Sequence, residues 1–333
     1  MEYRQLGTSS VKASVITFGA WAIGGWMWGG SDRREAVDAI KASYDNGVTS
    51  IDTAPAYGQG LSEEIVAEAI SSIPRDRVQL LTKFGLRWDT QGGEFFFKSR
   101  DNHGRDIDMH KYASKESVIQ ECEDCLRRLK TDYIDLFQIH WPDNTTPVAE
   151  TMEALVRLQE QGKILAAGVS NYSPALMQEA EKTISLASNQ VPYSMVLRDI
   201  EKDLVPYAIE NKKAIIVYSP LQRGLLTGKI KPGHSFSEGD TRDGNRFYTT
   251  ENITRVNDML DSLRPLAAEK NATLAQLVLR WTIDQPGITI ALAGARNAEQ
   301  AVQNAKAADV KLSKEEIAFI NDKLDRLELV IPV

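Results

Sequence analysis

Hydrophobic and polar residues follow two alternating patterns along the chain. Short runs rich in Val, Ile and Leu are separated by longer segments in which apolar residues recur at helical spacing, and these patterns are typical of strands and of amphipathic helices. The short runs predict strands at 15–19, 48–52, 78–83, 134–139, 164–169, 185–190, 214–218 and 288–292. The longer segments predict helices at 33–46, 61–71, 115–130, 149–161, 174–182, 201–211, 252–284 (at least two helices, divided near residues 271–273) and 297–308.

Each predicted strand is followed by a predicted helix, which indicates a parallel sheet. Most of the strands are continuously apolar rather than alternating, as expected for strands that helices cover. Eight such units predict a (β/α)8 TIM barrel. An open doubly wound sheet is the alternative, but the first turn, GAWAIGG, does not fit the GxGxxG pattern, and GLLTGK at 224–229 is too short for a phosphate-binding Walker A loop.

Three segments fall outside the eight units. The first 16 residues predict a β-hairpin around Gly7, Thr8 and Ser9, which would cap the bottom of the barrel. The connections 84–114 and 221–250 are longer than usual, and long connections in compact domains tend to be lids or binding loops. No linker or repeat divides the chain, so we expect one barrel domain spanning 1–333.

Composition and charge restrict the partners. Hydrophobic residues make up 42% and charged residues 26%, and no apolar run approaches the roughly 18 residues of a membrane span. The start of the chain lacks the pattern of a secretory signal, which predicts a cytoplasmic protein. The net charge of −7 argues against a nucleic-acid or anionic membrane partner, so local cations must hold any anionic ligand. No sequence feature defines an oligomeric state.

The two cysteines, Cys122 and Cys125, lie three residues apart in a predicted helix. A CxxC pair can bind a metal or carry redox chemistry, but no second pair completes a zinc site. Their position inside a helical segment favours a structural role. The histidines other than His140, namely His103, His110 and His234, lie in predicted loops, so we predict no metal site.

Polar residues stand where three consecutive strands end. Asp52 ends the second predicted strand, Lys83 the third, and His140 follows the fourth, while Tyr57 lies just after Asp52. Each alone has an ordinary structural explanation, such as an ion pair or a rim tyrosine. Because active sites of such barrels lie at the carboxyl ends of the strands, we expect the four side chains to meet there.

Their chemistry is mutually consistent. An ammonium beside a phenol favours the phenolate, so Lys83 is expected to lower the pKa of Tyr57 and make it a usable proton donor. Asp52 would keep Lys83 charged, and a neutral His140 would orient a carbonyl oxygen by a hydrogen bond. The set protonates a carbonyl oxygen but supplies no hydride, which implies a nicotinamide cofactor.

At this point the chain resembles a known family. The runs GVTSIDTAPAYGQGLSEEIVAEAI, LLTKF, YIDLFQIHWPD, GKILAAGVSNYS, YSPLQRGLLTGK and ALAGARNAEQAVQN occur in order and closely resemble the bacterial short-loop members of the aldo-keto reductase superfamily. The resemblance implies a (β/α)8 barrel that binds NADPH without a Rossmann unit and reduces aldehydes and ketones to alcohols. It places Asp52, Tyr57, Lys83 and His140 on the catalytic tetrad, with Tyr57 as general acid.

The resemblance also implies a cofactor site. Ser170, Asn171 and Gln190, which are neutral groups suited to a carboxamide, fall on the nicotinamide amide, and Tyr218 on the stacking aromatic residue. The backbone amides of Leu221, Arg223 and Gly224, together with Lys229, fall on the pyrophosphate. The remaining cofactor positions are Gly19, Ala20, Trp21, Asp52, Ser219, Pro220, Gln222, Leu225, Gly294 and Ala295.

The adenosine end is predicted around Arg296. Asn297 is a candidate helix N-cap with Gln300 at its third position, so Arg296 delivers a cation where the helix start already favours an anion. Gln300 and Asn304 share a helix face, and the resemblance implies that they contact the adenosine while Arg296 binds its 2′-phosphate. The chain has Leu292, Ala293 and Gly294 where aldose-reductase-like members place a Lys-Ser pair, which leaves the preference for NADPH over NADH open.

Aromatic residues predict the substrate pocket. Tryptophans follow the first, third and fourth strands, and a small-molecule carbonyl compound is expected between them, beside the catalytic residues. The predicted pocket residues are Trp21, Trp26, Trp28, Tyr57, Trp88, His140 and Trp141.

Two other functions remain open. Lys83 could form a Schiff base in an aldolase or lyase on the same barrel, although this gives Tyr57 and Arg296 no role. The chain could also be a cofactor-sensing regulatory subunit, because the family includes channel β-subunits.

Overall fold

A closed barrel of eight parallel strands forms the centre of the protein. In this computed structural model, residues 1–236 and 240–330 are described. The barrel strands follow one another around it in chain order: β1 (Ile16–Gly19), β2 (Ser50–Asp52), β3 (Gln79–Phe84), β4 (Ile134–Ile139), β5 (Ile164–Ser170), β6 (Leu186–Pro192), β7 (Ala214–Tyr218) and β8 (Ile288–Ala293). The eight predicted strands and the TIM barrel are confirmed, with strand ends within two residues of the prediction.

Helices connect the strands and cover the barrel. They are α1 (Arg33–Asp45), α2 (Leu61–Ile70), α3 (Lys115–Leu129), α4 (Val148–Glu160), α5 (Pro174–Ala180), α6 (Leu204–Glu210), α7 (Thr250–Glu269), α8 (Leu274–Asp284), α9 (Ala298–Ala305) and α10 (Lys314–Asp325). The predicted break between α7 and α8 is confirmed: Asn271 adopts a positive φ of 52°, and Thr273 begins α8 with a capping box formed with Gln276. No helix among the described residues is long and apolar enough to cross a membrane.

Short 3₁₀ turns account for the main departures from the predicted helices. The segment predicted as one helix at 201–211 is a 3₁₀ turn, Asp199–Glu201, followed by α6. The predicted helix at 297–308 continues from α9 into a second turn, Lys306–Asp309. Helix α10 was not predicted, although Ser313 and Glu316 form the capping box that marks its start.

The predicted N-terminal hairpin is present and packs against the barrel interior. Strands Tyr3–Gln5 and Lys12–Ser14 pair antiparallel, and apolar side chains of the hairpin join the cluster inside the barrel. Gly7 in its turn has φ of 57°, and a Cβ there would lie 2.4 Å from the Ala187 carbonyl oxygen. Glycine at this position therefore lets the hairpin reach the barrel.

The connection 84–114 was expected to be a loop, and this is wrong. It contains a three-stranded antiparallel sheet, here called the inserted sheet, of strands Leu86–Arg87, Glu94–Arg100 and Asp106–Lys111. Asp101 stabilises the hairpin turn, since its carboxylate accepts hydrogen bonds from the backbone N–H groups of His103 and Arg105. His110 consequently lies in a strand rather than a loop.

The cysteine pair agrees with a structural role. Cys122 and Cys125 are buried, unpaired residues of α3, and burial raises the pKa of the Cys122 thiol to about 12. A thiol that stays protonated is a poor nucleophile and metal ligand.

Candidate active site

The four residues predicted at the strand ends meet at one rim of the barrel. Lys83 Nζ, at the end of β3, donates hydrogen bonds to Asp52 Oδ1 at 2.6 Å and to Tyr57 Oη at 3.1 Å. The rings of Tyr57 and His140 pack edge to face, with centroids 5.7 Å apart. Strands β2, β3 and β4 are neighbours in the barrel, which explains why their ends bring these side chains together.

A tight turn places Tyr57 above Lys83. The Tyr57 backbone N–H donates to the Ala54 carbonyl oxygen at 3.1 Å, and Gly58 follows with φ of 69°. A Cβ at Gly58 would lie only 2.2 Å from the Gly24 carbonyl oxygen. The turn is thus packed directly against the loop after β1, which limits its freedom to move.

The hydrogen bonds of Lys83 determine the direction of the Tyr57 proton. An ammonium has three N–H donors, and those of Lys83 point to Asp52 Oδ1, Tyr57 Oη and, at 2.9 Å, the Thr53 carbonyl oxygen. Because Tyr57 Oη accepts from Lys83, its own O–H cannot point at Lys83. The phenol is therefore left to donate towards the cavity that it lines.

Burial controls the protonation of the ion pair and of the phenol. Asp52 and Lys83 are 1% and 0% exposed. Desolvation raises the pKa of Tyr57 above its ordinary value, and the opposing effect of Lys83 is smaller. The expectation that Lys83 lowers the pKa of Tyr57 overall is therefore wrong, although the Lys83 contribution has the expected sign. Burial by itself lowers the pKa of Lys83, but Asp52 and Tyr57 together raise it above its ordinary value, so Lys83 remains an ammonium.

His140 is held neutral. Burial and the nearby Lys83 charge lower its pKa well below the ordinary value. A neutral imidazole carries one N–H donor, which suits it to hydrogen bonding with a carbonyl oxygen.

A cavity of about 890 Å³ opens above these residues and runs from Tyr57 to Arg296. Aromatic side chains line much of the cavity, namely Trp21, Trp26, Trp28, Phe96, Phe97 and Trp141. Trp88 was predicted in this set and is not part of the lining; it packs in the same apolar cluster as Trp26 and Trp141. Phe96 and Phe97 come from the inserted sheet, which therefore contributes to the cavity wall.

Neutral polar groups also line the cavity. Ser170, Asn171, Gln190 and Tyr218 all line the cavity at the ends of β5, β6 and β7. The Tyr218 hydroxyl donates to Asn171 Oδ1 at 3.0 Å. Gln190 Nε2 donates to Asp52 Oδ2 at 2.7 Å, a contact that was not predicted.

The loop after β7 turns sharply at Gln222, Arg223 and Gly224, which have φ of 45°, 46° and 97°. The backbone N–H groups of Gln222 and Gly224 donate to the Ser219 and Leu221 carbonyl oxygens within the loop, so the Gly224 amide predicted to bind the pyrophosphate is already engaged. Gln222 and Leu225 were predicted to contact the cofactor, but their side chains do not line the cavity. Leu225 is buried, and Gln222 Oε1 accepts a hydrogen bond from Ser194 Oγ at 3.1 Å. The other predicted cofactor positions do line it: Gly19, Ala20, Trp21, Asp52, Ser219, Pro220, Leu221, Arg223, Gly224, Lys229, Gly294 and Ala295.

The start of α9 lines the cavity. Asn297 caps the helix by accepting from the Gln300 backbone N–H, whereas the Gln300 side chain accepts from the Arg296 backbone N–H. Asn304 Nδ2 donates to the Gly294 carbonyl oxygen. These bonds order the segment that carries Arg296, whose guanidinium donates to the Trp28 carbonyl oxygen at 3.0 Å.

Sequence reasoning missed Arg242. Its guanidinium donates to both carboxylate oxygens of Asp240 and to the Arg223 carbonyl oxygen, and it lies 5.2 Å from the Trp28 ring centroid. With Arg223, Lys229 and Arg296 it gives the cavity four cationic side chains, despite the net charge of −7. No local pattern marks Arg242 in the sequence, because its position depends on how the long loop folds.

The donor set fits a nicotinamide dinucleotide. Neutral amides and a tyrosine lie beside the acid group, and cations with a left-handed backbone turn line the rest of the cavity. Together the barrel and this site define an oxidoreductase that reduces carbonyl groups with a nicotinamide cofactor.

Comparison with known proteins supports this conclusion. The model of the Aldo/keto reductase family matches residues 15–325. The chain is 38% identical to aldo-keto reductase YhdN of Bacillus subtilis, over 98% of this chain and 94% of the relative. It is 35% identical to an NADH-specific methylglyoxal reductase of Escherichia coli, over 97% and 98%. The chain belongs to the aldo-keto reductase family.

Solved structures show the same architecture. A glycerol dehydrogenase, AKR11B4 from Gluconobacter oxydans, has a TM-score of 0.87 and 35% identity, with 99% of this chain and 98% of that chain covered. An aldo/keto reductase from Klebsiella pneumoniae in complex with NADP and acetate has a TM-score of 0.70 and 31% identity, with 96% of each chain covered.

Proposed function

We propose that the chain is a single aldo-keto reductase domain that reduces aldehydes, and more slowly ketones, with NADPH, and that Tyr57 is the general acid. The observation that carries this proposal is the Lys83 hydrogen bond to Tyr57 Oη, which directs the phenol proton into the cavity. When bound, the reduced nicotinamide supplies the hydride that the carbonyl carbon accepts.

The residues of the chain handle the proton and the developing charge. Tyr57, kept protonated by burial, donates its proton to the carbonyl oxygen as negative charge develops there. The Lys83 ammonium stabilises the resulting phenolate across the 3.1 Å contact. The N–H of neutral His140 orients the same carbonyl oxygen.

The structure argues against a Schiff-base mechanism. An amine nucleophile must reach the substrate carbon, whereas Lys83 is fully buried and all three of its N–H groups are engaged. Its pKa is raised rather than lowered, which is opposite to what a nucleophilic lysine needs.

A panel of aldehydes, ketones and sugars, assayed with NADPH and NADH in parallel, tests the function. We expect cofactor oxidation with aldehydes to be faster than with ketones. Tight NADPH binding without turnover of any panel member would instead favour a cofactor-sensing subunit. Borohydride trapping of a substrate on Lys83 would favour an aldolase or lyase.

We propose NADPH as the preferred cofactor, with Arg296 binding the 2′-phosphate. Support comes from the cations that line the cavity and from the Klebsiella relative solved with NADP. The Escherichia coli relative, by contrast, is NADH-specific. Replacing Arg296 with Ala removes a charged donor, so we expect the Kd for NADPH to rise roughly 10- to 100-fold while the Kd for NADH changes little.

Titration of both cofactors against Arg296→Ala checks this prediction. Lys229→Ala is a matched control, because a cation near the pyrophosphate should affect NADPH and NADH alike. Equal losses for both cofactors in Arg296→Ala would show that Arg296 does not recognise the 2′-phosphate.

A further inference from the structure

The carboxylate of Asp52 contacts two amide side chains as well as Lys83. Gln190 on β6 donates from Nε2 to Asp52 Oδ2 at 2.7 Å, and Gln138 on β4 approaches the same oxygen with Nε2 at 3.5 Å. Both glutamines are buried, at 2% and 0% exposure. The two oxygens of Asp52 therefore have different partners: Oδ1 binds the ammonium and Oδ2 the amides.

Because the amides occupy Oδ2, they limit how many Lys83 N–H groups the Asp52 carboxylate can accept. A carboxylate with both oxygens available can accept two N–H groups of one ammonium. Here the two amides face both lone pairs of Oδ2, so Asp52 takes one N–H through Oδ1. The other two N–H groups reach Thr53 and Tyr57. We propose that Gln190 and Gln138 are positioning residues that hold Oδ2 of Asp52 and thereby reserve one Lys83 N–H for Tyr57.

The local packing supports a dedicated role for Gln138. Its Cα is in register with Lys83 on one side and Gly168 on the other. A Cβ at Gly168 would lie 3.0 Å from Gln138 Cγ, so the glycine leaves room for this side chain. Gln138 Oε1 has no hydrogen-bond partner within residues 1–236 and 240–330. Because a carboxylate only accepts hydrogen bonds, Asp52 fixes the amide with Nε2 facing it.

The two glutamines differ in their access to the cavity, which allows their roles to be separated. Gln190 lines the cavity, whereas Gln138 does not. Lys83 from β3 and Tyr57 from the turn after β2 are the titratable groups in contact with this arrangement, and His140 lies beyond them near Lys83. Loss of a neutral donor to Asp52 should raise the pH at which its carboxyl protonates.

The inference rests on the proposed function, and its test includes a measurement independent of turnover. The carboxyl ¹³C resonance of Asp52, assigned by its loss in Asp52→Asn, is followed against pH in cofactor-free protein. The variants are Gln138→Met and Gln190→Met, with Gln138→Asn as a shorter amide should Gln138→Met not fold. Ser188→Ala is the matched control, because this buried hydroxyl lies beside Gly168 and has no partner in the described chain.

We expect the Asp52 midpoint to move to higher pH in both methionine variants and to stay in place in Ser188→Ala. At saturating cofactor, kcat should fall roughly 10- to 100-fold in Gln190→Met, which loses a hydrogen bond to a charged group, and by less in Gln138→Met. The cofactor Kd should be unchanged in Gln138→Met, and the acid limb of its kcat profile should shift with the carboxyl midpoint.

An unmoved Asp52 midpoint in both variants would overturn the inference, whatever the change in stability. So would a Gln190→Met variant in which only the cofactor Kd changes, since Gln190 would then act on the cofactor alone. If either of these results is seen and Tyr57→Phe is inactive, the proposed function still stands. If Tyr57→Phe is active, Tyr57 is not the general acid.

Discussion

Replacing Tyr57 with Phe should reduce kcat about 10²- to 10⁴-fold, the range expected for loss of a general acid. The ring would remain against Trp21, with which it stacks at 6.2 Å, and against His140. The change removes the hydroxyl without opening a space, so the KM for the carbonyl substrate should change little. The acceptor for one Lys83 N–H is also lost, at a cost of about 1–3 kcal/mol in the free energy of unfolding.

Tyr218→Phe is a matched control for this variant. It removes a second phenol from the same cavity, where Tyr218 donates to Asn171 rather than accepting from an ammonium. We expect kcat to change less than tenfold. Steady-state kinetics with saturating NADPH, together with circular dichroism of both variants, makes the comparison. Retention of more than a tenth of wild-type kcat in Tyr57→Phe would mean that another group donates the proton.

The barrel could be predicted because its signal is local and repeated. Strand 214–218 is a continuous apolar run, and 134–139 is apolar except at Asp135 and Gln138; the ends of both strands in the structure agree with the sequence pattern. The same periodicity identified Asp52, Lys83 and His140 as strand-end residues. Once strands are known to be parallel and consecutive, their carboxyl ends must meet, so the convergence of these residues follows from topology alone.

The features that were missed depend on tertiary packing. The strand Glu94–Arg100 has an irregular sequence, EFFFKSR, and gains its partner only through the hairpin to Asp106–Lys111. Arg242 reaches the cavity through a long loop, where periodicity gives no information. The pKa of Tyr57 depends on how deeply its phenol is buried, and pairing it with Lys83 from sequence alone overlooked desolvation.

We expect a second large effect on the free energy of unfolding when the Asp52–Lys83 ion pair is broken. Each single change, Asp52→Asn or Lys83→Met, leaves a buried partner without its counter-charge, and breaking a buried pair in this way costs about 3–5 kcal/mol in the free energy of unfolding. The double variant contains neither charge. We therefore expect its loss to be smaller than the sum of the single losses by roughly 1–3 kcal/mol. All three variants should also lose most of their activity, because Tyr57 loses its ordered ammonium.

Urea unfolding at pH 7 measures the four free energies of the cycle. Lys115→Met is the control for the chemistry of the lysine change: Lys115 pairs with Glu153 at 3.0 Å, but the two side chains are 34% and 56% exposed. An ion pair this accessible to solvent contributes about 0–1 kcal/mol, so the control should unfold nearly as the wild type does. If the losses of Asp52→Asn and Lys83→Met simply add in the double variant, then the two groups do not stabilise each other. Asp52 would then be a structural residue of the rim, and the ordering of Lys83 towards Tyr57 would have to come from the Thr53 carbonyl alone.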